Sequence, residues 1–102
     1  MGVPRRSNHG HAELEAERLR HRPVPYREFG ATLVVARPRD GEALVMTSTA
    51  VIVWHLLDDW TTEPDLDRVL AARFPEIGTD DRLAARHDIV RMLHDDDLLE
   101  RG

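Results

Sequence analysis

The side chains of this chain that could move a proton or hold a cation are its six histidines and nineteen carboxylates. His55, His87 and His94 fall in segments with helical periodicity, where an imidazole beside a carboxylate could do acid–base work. No nucleophile or orienting partner stands at a recognisable spacing from them, so they read as solvated or partly buried histidines. His9 and His11 have no further ligand at a telling distance, which describes a polar tail better than a metal site. Asp95, Asp96 and Asp97 with Glu100 gather oxygen ligands, but the glycine-containing loop with alternating ligands that a calcium site uses is missing. They read as a solvated helix end. The chain has no cysteine, which removes thiolate ligands, disulfides and thiol catalysis. It also lacks a glycine-rich phosphate loop. The residues point away from an enzyme, and no metal or cofactor is expected.

A chain of 102 residues supports one modest core and therefore one domain. All 14 basic residues are Arg, a bias that fits GC-rich coding better than any physical requirement. The charge is uneven. Residues 1–30 hold six Arg against four Glu, whereas residues 31–102 hold eight Arg against fifteen acids. An acidic folded part disfavours binding to a phosphate backbone, so no nucleic-acid partner is expected. No apolar run approaches the roughly 18 residues of a spanning helix, and no signal peptide opens the chain. The expectation is a soluble, cytoplasmic protein without membrane contact.

The elements that position these residues are organised around Met46–Phe74. Ala50, Val53, Trp54 and Leu57 recur at helical spacing, and Val51, Ile52 and Leu56 widen the apolar face almost to a ring. A helix so apolar must be wrapped by other elements. Leu66, Val69, Leu70 and Phe74 mark a second helix with a single stripe. Thr47 and Ser48 offer cap oxygens to the first helix, and Thr62, Glu63 and Pro64 open the second. Thr79 caps a third helix carrying Leu83, Ile89, Val90, Met92 and Leu93 to about Asp95, after which Leu98 and Leu99 fold back on the core. Upstream, TLVVA (32–36) and EALVM (42–46) flank the turn residues RPRDG and read as a β-hairpin. A further strand in Val24–Phe29 is confined by Pro25 to an edge or a strand start. Residues 1–25 read as a flexible arm. AELEAERLRH (12–21) forms at most a frayed helix, since Leu14 and Leu19 are too few to anchor it, and the prolines of HRPVPY stop it. The fold class is α+β, a small winged helix-turn-helix-like domain with a short hairpin of two or three strands packed on three helices.

The spacing of these residues resembles PqqD-like proteins, the stand-alone form of the RiPP recognition element. Met46-Thr47 stands at the strand end, Thr49-Ala50 and Val53-Trp54 follow in step, and Leu56-Leu57-Asp58 matches outright. Asp59 replaces a turn glycine, and Thr62, Leu66, Leu70 and Phe74 keep the register. Val90, Leu93 and Leu98-Leu99 fit the third helix and its closing Leu-Leu, with Asp97 in place of a common glycine. The likeness spans about Thr32 to Leu99 and implies a winged-helix domain over residues 26–102. It also implies a peptide-binding role: capture of the leader segment of a ribosomally made precursor as an added strand, and its presentation to a separate enzyme. That enzyme would be a radical SAM protein, a cyclase or a leader peptidase, with lasso-peptide and radical-SAM pathways both open. The strand edge would be Ala43, Leu44, Val45 and Met46. The cleft wall would be Leu83, Arg86, His87, Val90 and Arg91, with Arg86 and Arg91 meeting leader acids or Asp80 and Asp88 meeting leader bases.

Other readings stand beside this one. Leu83, Ile89, Val90 and Leu93 are core candidates first, and so is Trp54. Trp60 either contacts a partner or covers the helix end. A winged-helix DNA-binding regulator would use the same fold, with the third helix in the major groove. In TDDRLAARHDIVRMLHDDD, however, three Arg face six Asp, a poor footprint for DNA. The oligomeric state is left open.

Overall fold

The computed structural model describes residues 17–102. In chain order the elements are β1 (Arg18–His21), β2 (Tyr26–Phe29), β3 (Thr32–Ala36), β4 (Ala43–Thr47), α1 (Thr49–Leu56), β5 (Thr61–Thr62), α2 (Glu63–Arg73), α3 (Thr79–Asp95) and β6 (Leu99–Arg101). The strands form two antiparallel three-strand sheets, in the orders β5-β1-β6 and β2-β3-β4. With the three helices they make the α+β fold expected from the sequence.

The expected hairpin is β3–β4, in register from Thr32↔Thr47 to Ala36↔Ala43. Its turn closes because Gly41 adopts φ 73°, a left-handed conformation that glycine takes without a Cβ clash. The Asp40 carboxylate accepts the Glu42 N–H at 3.0 Å. Side chains then alternate: Leu33, Val35 and Met46 are buried, while Ala43 and Val45 are exposed, as the two-residue period of a strand requires. β2 adds to the far side of β3. Pro25 sits just before it, where a missing N–H breaks no ladder bond.

Each helix turns an apolar stripe to one core. Val53, Trp54 and Leu57 come from the first, Leu66 and Leu70 from α2, and Val90 and Leu93 from α3; Leu19, Leu33, Val35, Met46 and Leu98 complete it. At α2 the Thr62 hydroxyl accepts the Asp65 N–H at 3.2 Å, and Pro64 lies in the first turn, as expected. The caps of the other two helices differ from expectation. Ser48 occupies the N-cap of α1 at φ 55° and ψ −127°, and its side chain bonds no helix N–H. The chain must turn there from β4 straight into α1, and that reversal takes the residue out of the extended conformation a serine cap uses. The N-cap of α3 is Gly78, and Thr79 is already helical. The helix ends in a Schellman motif: Leu98 N–H reaches the Leu93 carbonyl at 2.8 Å and Asp97 N–H the His94 carbonyl at 3.1 Å. Asp97 takes φ 60°, and Leu93 and Leu98 pack together in the core, the apolar contact that accompanies this cap.

One expectation fails outright. Arg18–His21 is a strand, not the end of a helix. It is the central strand of its sheet, and Leu19 is fully buried. The flexible arm assigned to residues 1–25 therefore does not extend this far; its residues 1–16 lie outside the described residues. The physical reason is non-local. Leu19 needed no second anchor of its own because Thr61 and Arg101 supply strand partners from far along the chain.

Leu19→Ala is expected to destabilise the protein by about 2–5 kcal/mol in urea unfolding; an unchanged midpoint would return this segment to a dispensable arm. Ser48→Gly relieves a conformation that side chains resist and should stabilise by about 1 kcal/mol, read as a raised Tm.

Candidate functional site

Which backbone groups of β4 face outward follows from the ladder. Ala36 N–H donates to the Pro25 carbonyl at 3.1 Å, on the β2 side, while Arg37 N–H donates to the Glu42 carbonyl at 2.9 Å, on the β4 side. Antiparallel pairs alternate between hydrogen-bonded and non-hydrogen-bonded. Ala36↔Ala43, Val34↔Val45 and Thr32↔Thr47 are thus the non-hydrogen-bonded pairs of the β3–β4 register. The N–H and C=O groups of Ala43, Val45 and Thr47 point away from β3, and among the described residues no strand lies on that side. Of the four residues expected to form a peptide edge, Ala43 and Val45 present their backbone outward. Leu44 and Met46 are bonded inward, with Met46 buried and Leu44 packed on the core. On the outer face, Val45 continues a row with Val34 and Arg27. Val45 and Phe29 are about 60% exposed there, at 59% and 60%.

The hairpin tip is fastened to the end of α3. Arg39 contacts the Asp97 carboxylate at 2.8 Å and the Asp95 carbonyl at 3.4 Å, and Arg37 reaches Asp96 at 3.5 Å. Cations at the negative end of a helix are favoured by its dipole. The acidic run thereby anchors the hairpin. Asp40 supports the same tip: the Glu42 N–H, helped by the Arg37 guanidinium, holds its carboxyl below the usual carboxylate range against the opposing effect of desolvation. By helical spacing, the half-buried Met92 and Ile89 lie about one and two turns before Asp96 and pack on the core.

The α3 residues expected to wall the cleft do not face β4. Arg86 is committed to α2, bonding Asp67 through Nε at 2.8 Å and Nη2 at 3.2 Å, and Glu63 through Nη1. The Asp67 hydrogen bonds raise its pKa above the ordinary guanidinium value, outweighing desolvation. Val90 is core, and Leu83 is half-buried. His87, Val90 and Arg91 line a groove of about 170 Å³ with Glu63, His94 and Arg101, on the β6 side. One helix thus carries two faces, Ile89 and Met92 on the core and His87 and Arg91 toward the C-terminal strand.

Sequence reasoning missed His21. Its ring stacks on Trp54 at 3.9 Å and 5°, and Tyr26 stands edge-on to both. His21 Nδ1 lies 2.9 Å from the Arg22 carbonyl and Nε2 2.6 Å from Asp58. A carbonyl oxygen only accepts, so the contact to Arg22 is a hydrogen bond when Nδ1 is the donor. Beside it, His55 meets Glu28 at 3.0 Å. HRPVPY reads locally as a helix breaker, and nothing within the segment signals that Trp54, 33 positions on, stacks on its histidine. Trp60 covers the outer face of the β1 sheet, with Arg20 4.4 Å from its ring centroid and Gly102 against its edge.

Because Arg86 ties α3 to α2, Arg86→Ala is expected to lower stability by about 1–3 kcal/mol, leaving two partly buried carboxylates unpaired. A variant of wild-type stability would instead mark Arg86 as a surface ligand. No protein-family model, curated protein or solved structure matches this sequence.

Proposed function

We propose that this protein binds the leader segment of a ribosomally synthesised precursor peptide as a strand added to β4, and presents it to a separate modifying enzyme or leader peptidase. The observation that carries the reading is the outward backbone of Ala43, Val45 and Thr47 on an edge that has no neighbour among the described residues. Main-chain bonds to such an edge give affinity that tolerates sequence change, and alternate side chains give selectivity. One set of leader side chains extends the apolar row of Val34 and Val45. The other set enters toward Ile89 and Met92, half-buried residues with contact area to give. This replaces the earlier expected wall of Arg86, His87 and Arg91 with a more apolar one. The resemblance of Met46–Phe74 to RiPP recognition elements supplies the class of peptide. A DNA-binding role draws less support: Arg86 is neutralised by Asp67 and Glu63, which leaves α3 with a surplus of exposed acids.

The test is a titration of a labelled leader from the precursor encoded alongside. Val45→Pro removes an outward N–H and no ladder bond, so the variant should fold as wild type and lose affinity at least about tenfold. Val45→Thr keeps the N–H and should bind within about threefold. A folded Val45→Pro variant with unchanged affinity would refute strand addition at this edge.

A further inference from the structure

The molecule has a second strand edge. Arg18 and Gly102 exchange backbone bonds, Gly102 N–H to the Arg18 carbonyl at 2.9 Å and the reverse at 3.4 Å, and Arg22 N–H reaches the Leu98 carbonyl at 2.8 Å. With Arg20↔Glu100 between them, residues 98, 100 and 102 bond inward to β1. The N–H and C=O groups of Leu99 and Arg101 therefore face away from β1, on the outer side of the last strand in its sheet. Beside this edge lies the groove lined by His87, Val90, Arg91, His94, Arg101 and Glu63.

The charge of that groove departs from the rest of the chain. Its single acid, Glu63, is bound to Arg86. Arg91 has no ion-pair partner among the described residues, and Arg101 holds only Glu17. The ring nitrogens of His87 and His94 add hydrogen-bonding capacity. In a protein of net charge −5, this lining sets two guanidiniums against one carboxylate, next to strand donors and acceptors that no strand among the described residues pairs. Glu17 shows what it attracts: the carboxylate of the residue just before β1 already sits on Arg101.

We infer that the β6 edge is a second docking site, which takes an acidic polypeptide segment in extended form from a partner protein. The backbone of Leu99 and Arg101 pairs with the incoming strand, and its carboxylates meet Arg91 and Arg101. A second copy of this chain fits less well, because two β6 edges paired about a two-fold axis would bring like guanidiniums together. A nucleic acid would use the cations but leave the strand donors and acceptors unpaired. The site is independent of the leader edge, lying on the opposite flank of α3.

The experiment uses the full chain and a short fluorescein-labelled peptide of alternating Glu and Thr, followed by anisotropy and by amide shifts. The acidic peptide should bind at low salt, weaken as salt rises, and shift the amides of Leu99, Arg101 and Gly102 but not those of Ala43 and Val45. The same peptide with Lys for Glu should not bind. Arg91→Glu should weaken binding about tenfold. Arg101→Thr, which keeps the N–H, should weaken it less than Arg101→Pro, which removes it. Val45→Pro should leave this binding unchanged, so failure here and failure at the leader edge are separable. The proposal is overturned if Arg91→Glu has no effect in a folded variant, if the shifts fall on β4, or if a DNA duplex binds as tightly and moves the same amides.

Discussion

The packing of His21 and Tyr26 on Trp54 is the constraint on which the rest depends. Trp54 belongs to α1, His21 to the β1 sheet and Tyr26 to the β2 sheet, so this one indole is touched from both sheets. It is fully buried, and its Nε1–H finds no acceptor among the described residues. A buried donor without a partner costs about 1–3 kcal/mol. That the site is kept means the apolar and stacking contacts of the ring outweigh the loss. Pinning both sheets to one helix fixes where each of them ends, and so fixes which strands are left at the rims.

Electrostatics completes that arrangement rather than opposing it. Acids next to α3 fasten two groups of arginines: Asp96 and Asp97 hold Arg37 and Arg39 at the hairpin tip, and Asp67 and Glu63 hold Arg86 between helices. The exposed pairs at the hairpin tip contribute little each, whereas the Arg86 cluster is partly buried; both set geometry. The first group orients the hairpin along α3. The second locks the face of α3 between its two lateral surfaces. Because those arginines are committed, the cations left on the β6 side stand out against an acidic chain.

Much of this was legible in the sequence where the signal was local. The β3–β4 hairpin followed from alternating residues around Asp40 and Gly41, and α2 from Thr62, Pro64 and its apolar stripe. The burial of Trp54 followed from a helix apolar on nearly all sides. What was not legible depended on distant partners. β1 and β6 are short and uninformative alone, and they become strands only when the chain's two ends meet at Leu19↔Arg101. Arg86 looked like a ligand because its spacing on α3 could be read, whereas the carboxylates that claim it sit on another helix. The same limit placed His87 and Arg91 on the wrong flank: a helical wheel gives the angle between residues, not which neighbour each direction faces.

An open strand edge carries a hazard, since it is a template for unintended pairing, and proteins usually blunt it with charge, proline or a bulge. β4 has none of these within ALVMT; its charged and proline residues stand outside it, at Pro38, Asp40 and Glu42. On its outer face Val45 and Phe29 remain largely exposed, next to an edge whose backbone is unpaired. β6 is only three residues long and carries Glu100 and Arg101, so any strand laid against it must match charge as well as backbone. The two edges thus differ in kind: β4 sets its outward backbone beside an apolar row, and β6 sets its own beside charged side chains.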